Sequence, residues 1–333
     1  MMERLLNSAP SWTNLAVFFG LGAALLLAVL AFVTYGILAE RKVMGFMQGR
    51  YGPNQVGGRW GLLQTVADVL KLLLKEDTIP KAADRPLFIL APILAFAPAF
   101  MVLATLPFTD AFQFADIGVG LLYYIAVSGL TTIGVVTGGW ASNNKYALIG
   151  GMRAAAQMIS YEIPLIMSVI GVVLLTGSLN LNDIVEAQKN VWYIFIQPIA
   201  FIVFFIAAVA ELNRTPFDLP EAESELVAGF HVEYSGFRWA FFMLAEYVYL
   251  FAMAALTTVL FLGGWHPVMF LDFIPGAVWF ALKFSAVVFV LIWFRVTFPR
   301  LRADQLMELG WKVLFPVALA NIFITALVKK LFF

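Results

Sequence analysis

Cysteine is absent from the 333-residue chain, and histidine occurs only twice, at His231 and His266. No disulfide, zinc site or iron–sulfur cluster can therefore be built from this chain alone. A bis-histidine haem would need both imidazoles together, and the span count below puts them on opposite sides of a membrane. Charge is scarce too. Only 13% of residues are charged, about half the share usual in soluble domains. The 21 basic and 21 acidic side chains cancel, which leaves no electrostatic footprint for a nucleic-acid partner.

What fills the chain is apolar surface. Hydrophobic residues make up 62%, and the mean hydropathy is +0.89. A water-soluble domain of this length cannot hide so much, and disordered and fibrous classes are excluded as well. The composition specifies an all-α integral membrane protein, read as a single polytopic membrane domain over residues 1–333.

Eight uncharged apolar runs fit transmembrane helices: roughly 15–39, 87–108, 117–139, 163–176, 191–210, 239–262, 273–294 and 313–328. The fourth and eighth are short and are expected to extend into their polar flanks. The first is too long for a signal-peptide core and is expected to be retained. Sixteen basic residues fall in the segments after the first, third, fifth and seventh runs, and four fall on the other side. The positive-inside rule then places loops 40–86, 140–162, 211–238 and 295–312 in the cytoplasm and both termini outside. The inner loops are long and the outer ones short, so the cytoplasmic face looks built to hold something.

Several polar residues need an explanation. Gln64, Asp68, Lys71 and Lys75 fall on one narrow face of an otherwise apolar helix over 60–76, which either lies in the membrane interface or roofs a polar cavity. In the acidic segment 216–236, Asp218 and Glu221 fit a capping box. Glu221 and Glu225 are one turn apart, Glu223 lies off their face, and Glu211 precedes them at the end of span five. Such carboxylates are either a solvated loop or, if partly buried, a cluster that raises its own pKa values. Glu246 and Lys283 fall inside spans, and Glu162 opens the fourth, nine residues after Arg153. Charges at membrane depth usually face a cavity or a partner. Glu246 could instead pair with Arg238. On physics alone the chain is either an ion transporter or the membrane anchor of a redox machine with a lipid-soluble substrate at its cytoplasmic edge.

Four stretches carry a resemblance: AERKVMGFMQGRYGPNQVGGRWGLLQTVADVLKLLLKE (39–76), GGWASNNKYALIGGMRAAAQMISYE (138–162), AELNRTPFDLPEAESELVAGFHVEYSG (210–236) and FPRLRADQLMELGWK (298–312). In order and spacing they resemble the H-subunit family of bacterial NADH:quinone oxidoreductases (respiratory complex I), counterparts of the first subunit of mitochondrial complex I. The likeness runs over essentially the whole chain. It implies a multi-pass subunit of the bacterial cytoplasmic (inner) membrane that couples quinone reduction to proton translocation. Hydrophilic peripheral-arm subunits, one with the terminal iron–sulfur cluster, would close a quinone chamber with it. Small and antiporter-like membrane subunits would be its other partners. Quinone is then the substrate, and FMN and iron–sulfur clusters belong to partner subunits; this chain binds no cofactor or metal and holds no complete catalytic site. Relatives in membrane-bound hydrogenases and ferredoxin-linked complexes leave the electron donor open.

Carried over residue by residue, the resemblance implies a quinone passage at Arg41, Phe46, Gln48, Asp68 and Lys71, with Arg295, Arg300 and Asp304 from the last inner loop. It implies a proton path through Glu211, Asp218, Glu221, Glu223 and Glu225, with Glu162 and Arg153 the next station inward. Glu246 and Lys283 join that path on their depth alone. Two positions depart from the pattern: Ala303 where many members have Tyr, and Thr131–Thr132 where some have Glu in the third span.

Overall fold

The structure, a computed structural model, describes residues 12–110, 112–220, 223–267 and 273–332. The chain starts with α1 (Trp12–Met47), 36 residues and therefore about 54 Å long, which is more than a bilayer's hydrocarbon thickness. Its last turns extend past the membrane and carry Glu40 and Arg41. An irregular glycine-rich segment follows. At Gly61 the backbone takes φ +66°, and an added Cβ would sit 2.3 Å from the Pro53 carbonyl oxygen, so only glycine closes this loop. Then comes α2 (Gln64–Leu74), the amphipathic helix.

The next helix, α3 (Arg85–Met101), begins where Asp84 caps the Leu87 N–H and Pro86 occupies the first turn. α4 (Gly120–Ser128) and α5 (Leu130–Ala141) run on as one span. α3 and α5 cross closely because Gly134 has no side chain: a Cβ there would lie 2.5 Å from the Ala95 nitrogen. α6 (Lys145–Thr176) starts under the Asn144 cap and ends at Gly177 in the left-handed conformation. After α7 (Leu181–Ala187) and the single turn α8 (Tyr193–Ile196) comes α9 (Pro198–Glu211). The short α10 (Glu223–Leu226) lies in the acidic segment. α11 (Gly236–Phe261) and α12 (Gly276–Thr297) follow. α13 (Ala303–Glu308) passes through a π-helical turn, Leu309–Leu314, into α14 (Phe315–Phe332).

Among the described residues seven helices are long and apolar enough to cross a membrane. The fifth apolar run supplies the remaining segment in two pieces. Its 14-residue α9 is only about 21 Å long, because Pro198 cannot continue the ladder from α8. The expectation of a loop over 140–162 does not hold beyond Asn144. Residues 145–162 are the first half of α6, since Ala154–Ala156 and the long side chains around them favour helix and Pro164 lies inside the helix without ending it.

The core forms around α11: 78% of its most apolar window is buried, against 22% in the Ala303–Leu331 helix. Polar glue is sparse at mid-depth. Gln197 Nε2 donates to the Gly171 carbonyl at 2.9 Å and to Thr325 Oγ1 at 3.2 Å, which ties α14 to α6 and α9. Two lysines close helix ends at one face. Lys283 Nζ donates to the Leu262, Gly264 and His266 carbonyls at 2.6, 3.1 and 2.6 Å, just past the end of α11, and lies 4.1 Å above the Trp192 ring. Lys329 donates to Leu174 at 2.6 Å near the end of α6. Both cations satisfy carbonyls that helix ends leave orphaned and oppose the negative end of the dipole.

Candidate functional site

The opposite, loop-rich face gathers most of the charged residues that the sequence singles out. The end of α1, the loop after α9, α11 and α12 meet there, and a four-charge knot forms between them. Arg214, 2% exposed, donates to Glu40 at 3.0 Å and to Glu246 at 2.9 Å. Arg295 reaches Glu40 at 2.5 Å and Glu246 at 4.0 Å. The Tyr247 hydroxyl donates to Glu40 at 3.0 Å. Two arginines and two glutamates sum to zero, which is what makes the burial tolerable. Burial opposes the Arg214 charge, but Glu40 and Glu246 more than offset it and raise the guanidinium's hold on its proton. Arg238 takes no part in this knot. It pairs with Asp77 at 3.0 Å and, with the Thr78–Ser235 hydrogen bonds, ties the segment after α2 to the start of α11.

Next to the knot is a cavity of about 70 Å³, lined by Thr131, Met158, Glu211, Asn213, Glu246 and Tyr249 among others. Glu211 is 4% exposed. One of its oxygens accepts from the Tyr249 hydroxyl at 2.5 Å, and the other is buried with no partner among the described residues. A half-partnered carboxylate among the lining residues of a cavity of this size fits ordered water, which needs only about 10–15 Å³ of such space per molecule. Glu162 lies close enough for its charge to act on Glu211. Its Oε1 sits 3.1 Å from where a Cβ on Gly129 would be, so that glycine makes room for the carboxylate. Thr131, uncharged in this chain, lines the same cavity.

The acidic segment is held down by arginines. Asp218 accepts from Arg300 at 2.9 Å, and burial pushes its carboxyl above the usual range despite that partner. Arg153 donates to Glu225 at 2.6 Å, so Arg153 and Glu225 belong together while Glu162 faces α4–α5. Glu221 and the Glu223 side chain lie outside the described residues. His231 is buried, and burial pushes its pKa down to about 4, so it is neutral at pH 7.

The third group is at the rim. Arg41 pairs with Asp68 at 2.5 Å, and Gln64 donates to the same carboxylate at 3.2 Å. Lys71 and Phe46 are exposed, and Gln48 accepts from Arg50 at 2.8 Å. Leu70, Leu73 and Leu74 on α2 are exposed as well, so the helix carries an apolar face beside its polar one, as membrane-interface helices do. Of the last inner loop, Arg295 joins the knot and Arg300 the acidic segment. Asp304 pairs with Arg302 on the surface and touches neither. Lys283 stands apart at the opposite end. Among the described residues no three metal-type side chains come together.

The model of the family described as NADH dehydrogenase matches residues 21–326. The NADH-quinone oxidoreductase H subunit of Geobacillus sp. (strain WCH70) is 94% identical over the whole of both chains. The H subunits of Anoxybacillus flavithermus (strain DSM 21510 / WK1) and Bacillus cereus (strain AH187) are 87% and 84% identical, again over the full length of each. The chain belongs to the NADH dehydrogenase family.

Two members of the knot escape a reading of composition. Glu40 and Arg214 are the centre of the knot, yet in sequence one merely ends an apolar run and the other counts toward inner positive charge. The available signal is position: an acid and a base at the loop-side ends of two apolar runs, each needing a partner there. Tyr249 and Gln157 gave no signal, because lone polar residues in apolar helices most often satisfy local carbonyls.

Proposed function

We propose that the chain is the quinone-side membrane subunit of a proton-translocating NADH:quinone oxidoreductase in a bacterial cytoplasmic membrane, with both termini outside. Hydrophilic subunits bearing FMN and iron–sulfur clusters deliver electrons, and small and antiporter-like membrane subunits receive the coupled signal. Quinone enters beside α2, over Arg41, Asp68, Lys71, Phe46 and Gln48. Its reduction takes two electrons and two protons, so the chamber gains a demand for protons at each turnover.

The residues of this chain are arranged to answer that demand. Asp68 holds Arg41, the residue after Glu40. Glu40 is joined through Arg214 to Glu246, and Glu246 borders the cavity that Glu211 also lines. Glu162 lies beyond. A carboxylate that meets one hydroxyl on one oxygen and a cavity on the other can take up and release a proton without breaking a salt bridge. Asp218, Glu225 and Arg153 flank this line, and Glu221 and Glu223 belong to the same acidic segment. The single observation that carries the reading is the buried, half-partnered Glu211 on a cavity shared with Glu246.

The test is Glu211→Gln in membranes that contain the assembled complex. Glutamine keeps the shape and an acceptor for Tyr249 but cannot carry a proton. Quinone-linked NADH oxidation and pumping should fall by about 10²-fold, a typical value for a lost proton-transfer group. NADH oxidation by a soluble artificial acceptor should stay as it was. Wild-type pumping in this variant would reject Glu211 as a relay member.

A further inference from the structure

Gln157 takes no part in the knot or in the carboxylate line. It lies on α6 between Arg153 and Tyr161, one turn from each, and is 1% exposed. Its Nε2 donates to the Ala210 carbonyl at 2.7 Å and to the Phe217 carbonyl at 2.7 Å, with Asn213 Oδ1 at 3.1 Å. Three acceptors around one atom fix which end of the amide points there, since the flipped amide would set oxygen against three oxygens. An NH₂ group has two hydrogens, and both go to backbone carbonyls at the two ends of one segment. The amide oxygen, facing the other way, is buried with no partner among the described residues. Gln157 is therefore held for its donors, at the expense of its acceptor.

The segment it grips is short and chemically loaded. The residue after Ala210 is Glu211, and the residue after Phe217 is Asp218. Between them Asn213 takes a left-handed φ of 52°, and Arg214 is drawn into the knot. One side chain from α6 thus sets the distance between a carboxylate on the cavity and a carboxylate on Arg300. We propose that Gln157 is a positioning residue for proton transfer: it clamps both ends of the 210–217 segment and so fixes Glu211 against the cavity and Asp218 against Arg300. The positioning role rests on the relay reading of Glu211.

Two substitutions test it, in membranes with the assembled complex. In Gln157→Glu the side chain keeps its size. While protonated it can still donate one hydrogen bond into the acceptor cluster; ionised, it donates none and faces three oxygens. Quinone-linked NADH oxidation should then be close to wild type at low pH and drop by about tenfold as pH rises, the worth of a lost buried hydrogen bond. The wild-type profile should lack that step. The other charged or titratable groups on the elements around it are Arg153, Tyr161 and Glu162 on α6, Glu211, Arg214 and Asp218 across from it, and the neutral His231. Wild type and variant share them, so the added step belongs to the new carboxyl. In Gln157→Met the rate should fall by a similar factor at every pH.

A second readout does not depend on turnover. Because the chain has no cysteine, Thr215→Cys can be labelled alone. Thiol labelling there should be slow in the chain that keeps Gln157 and about tenfold faster when Gln157→Met is added, as expected for a locally loosened segment. If Gln157→Met does not assemble, the low-pH and high-pH limbs of Gln157→Glu carry the same test. Unchanged labelling overturns the clamp. Faster labelling with an unchanged rate and pH profile overturns the positioning role. If Gln157→Met frees Thr215 while Glu211→Gln pumps normally, the relay reading fails and the clamp stands.

Discussion

At the Lys283 end of the bundle an ammonium meets three carbonyls and an indole face. At the Glu211 end a carboxylate meets one phenol and a cavity. Both charges are buried in a protein with little charge to spare. The lysine has a partner for each of its three hydrogens, and any change of state would break bonds on every side. Among the described residues the acids and bases of the loop-rich end are left incomplete: Glu211 Oε2, Asp218 Oδ1 and Arg214 Nη2 are buried without a partner. A fully satisfied charge holds structure. A charge with an open valence next to water-sized space can change its partner or its proton at low cost.

The knot is the place where that contrast is most exposed to failure, because it is buried and, through Glu246, borders the cavity that Glu211 lines. Arg214→Met removes the cation that both Glu40 and Glu246 share and leaves Arg295 as their one remaining counter-charge among the described residues. Breaking a buried pair in this way costs about 3–5 kcal/mol, so the subunit should be largely lost from the membrane fraction or from the solubilised complex on mild heating. Adding Glu246→Gln should recover part of the loss, since one orphaned charge goes with it. A loss no greater than that of a surface charge would mean that the four groups do not act as a unit.

Lys283→Met sharpens the comparison from the other side. Three carbonyls past the end of α11 lose their donor, which should lower thermal stability by about 2–3 kcal/mol. Protons pumped per electron should not change. A fall in that ratio with unaltered stability would move Lys283 from the capping role into the relay, and the two ends would no longer differ.

Asp68→Leu should have a smaller effect on stability, within about 1 kcal/mol, because its pair with Arg41 is partly exposed. Its effect should fall on quinone-linked oxidation alone, with electron flow to an artificial acceptor intact. Equal loss of both activities would make the Arg41–Asp68 pair an assembly contact and separate the rim from the knot.

Much of this was legible in the chain. Hydropathy gave the helices, and the lopsided 64–75 face gave α2, because both depend on the local period of apolar residues. Pairing was far less legible. Arg238 and Glu246 lie eight residues apart on one helix and invite a pair, but Arg238 turns to Asp77 and Glu246 to Arg214, which come from other parts of the chain. Depth also misled: Lys283 is deep by residue count, yet its long stem reaches the carbonyls beyond α11. The helix that takes up the expected loop 140–162 from residue 145 on was hidden in plain charge, since Lys145 and Arg153 look like loop residues and lie in the first turns of α6. What sequence periodicity cannot give is which side chain from which helix completes another.

The smallest effect is expected from the experiment that orients the whole comparison. The bias of basic residues assigns the loop-rich end to the cytoplasm, the side on which the proposed function needs quinone and the peripheral subunits. Lys145 and Lys189 are both exposed, the first at the start of α6 and the second beyond α7 at the opposite end. Neither makes an ion pair among the described residues, so cysteine at either position should change activity and stability by no more than about 0.5 kcal/mol. With no native cysteine to confuse the result, an impermeant thiol reagent added to intact cells should label Lys189→Cys and spare Lys145→Cys. Inverted vesicles should give the reverse. If Lys145→Cys reacts from outside, the Glu211 cavity opens on the wrong face for a proton demand set by cytoplasmic electron delivery. The Lys283 end would then be the side that meets the partners.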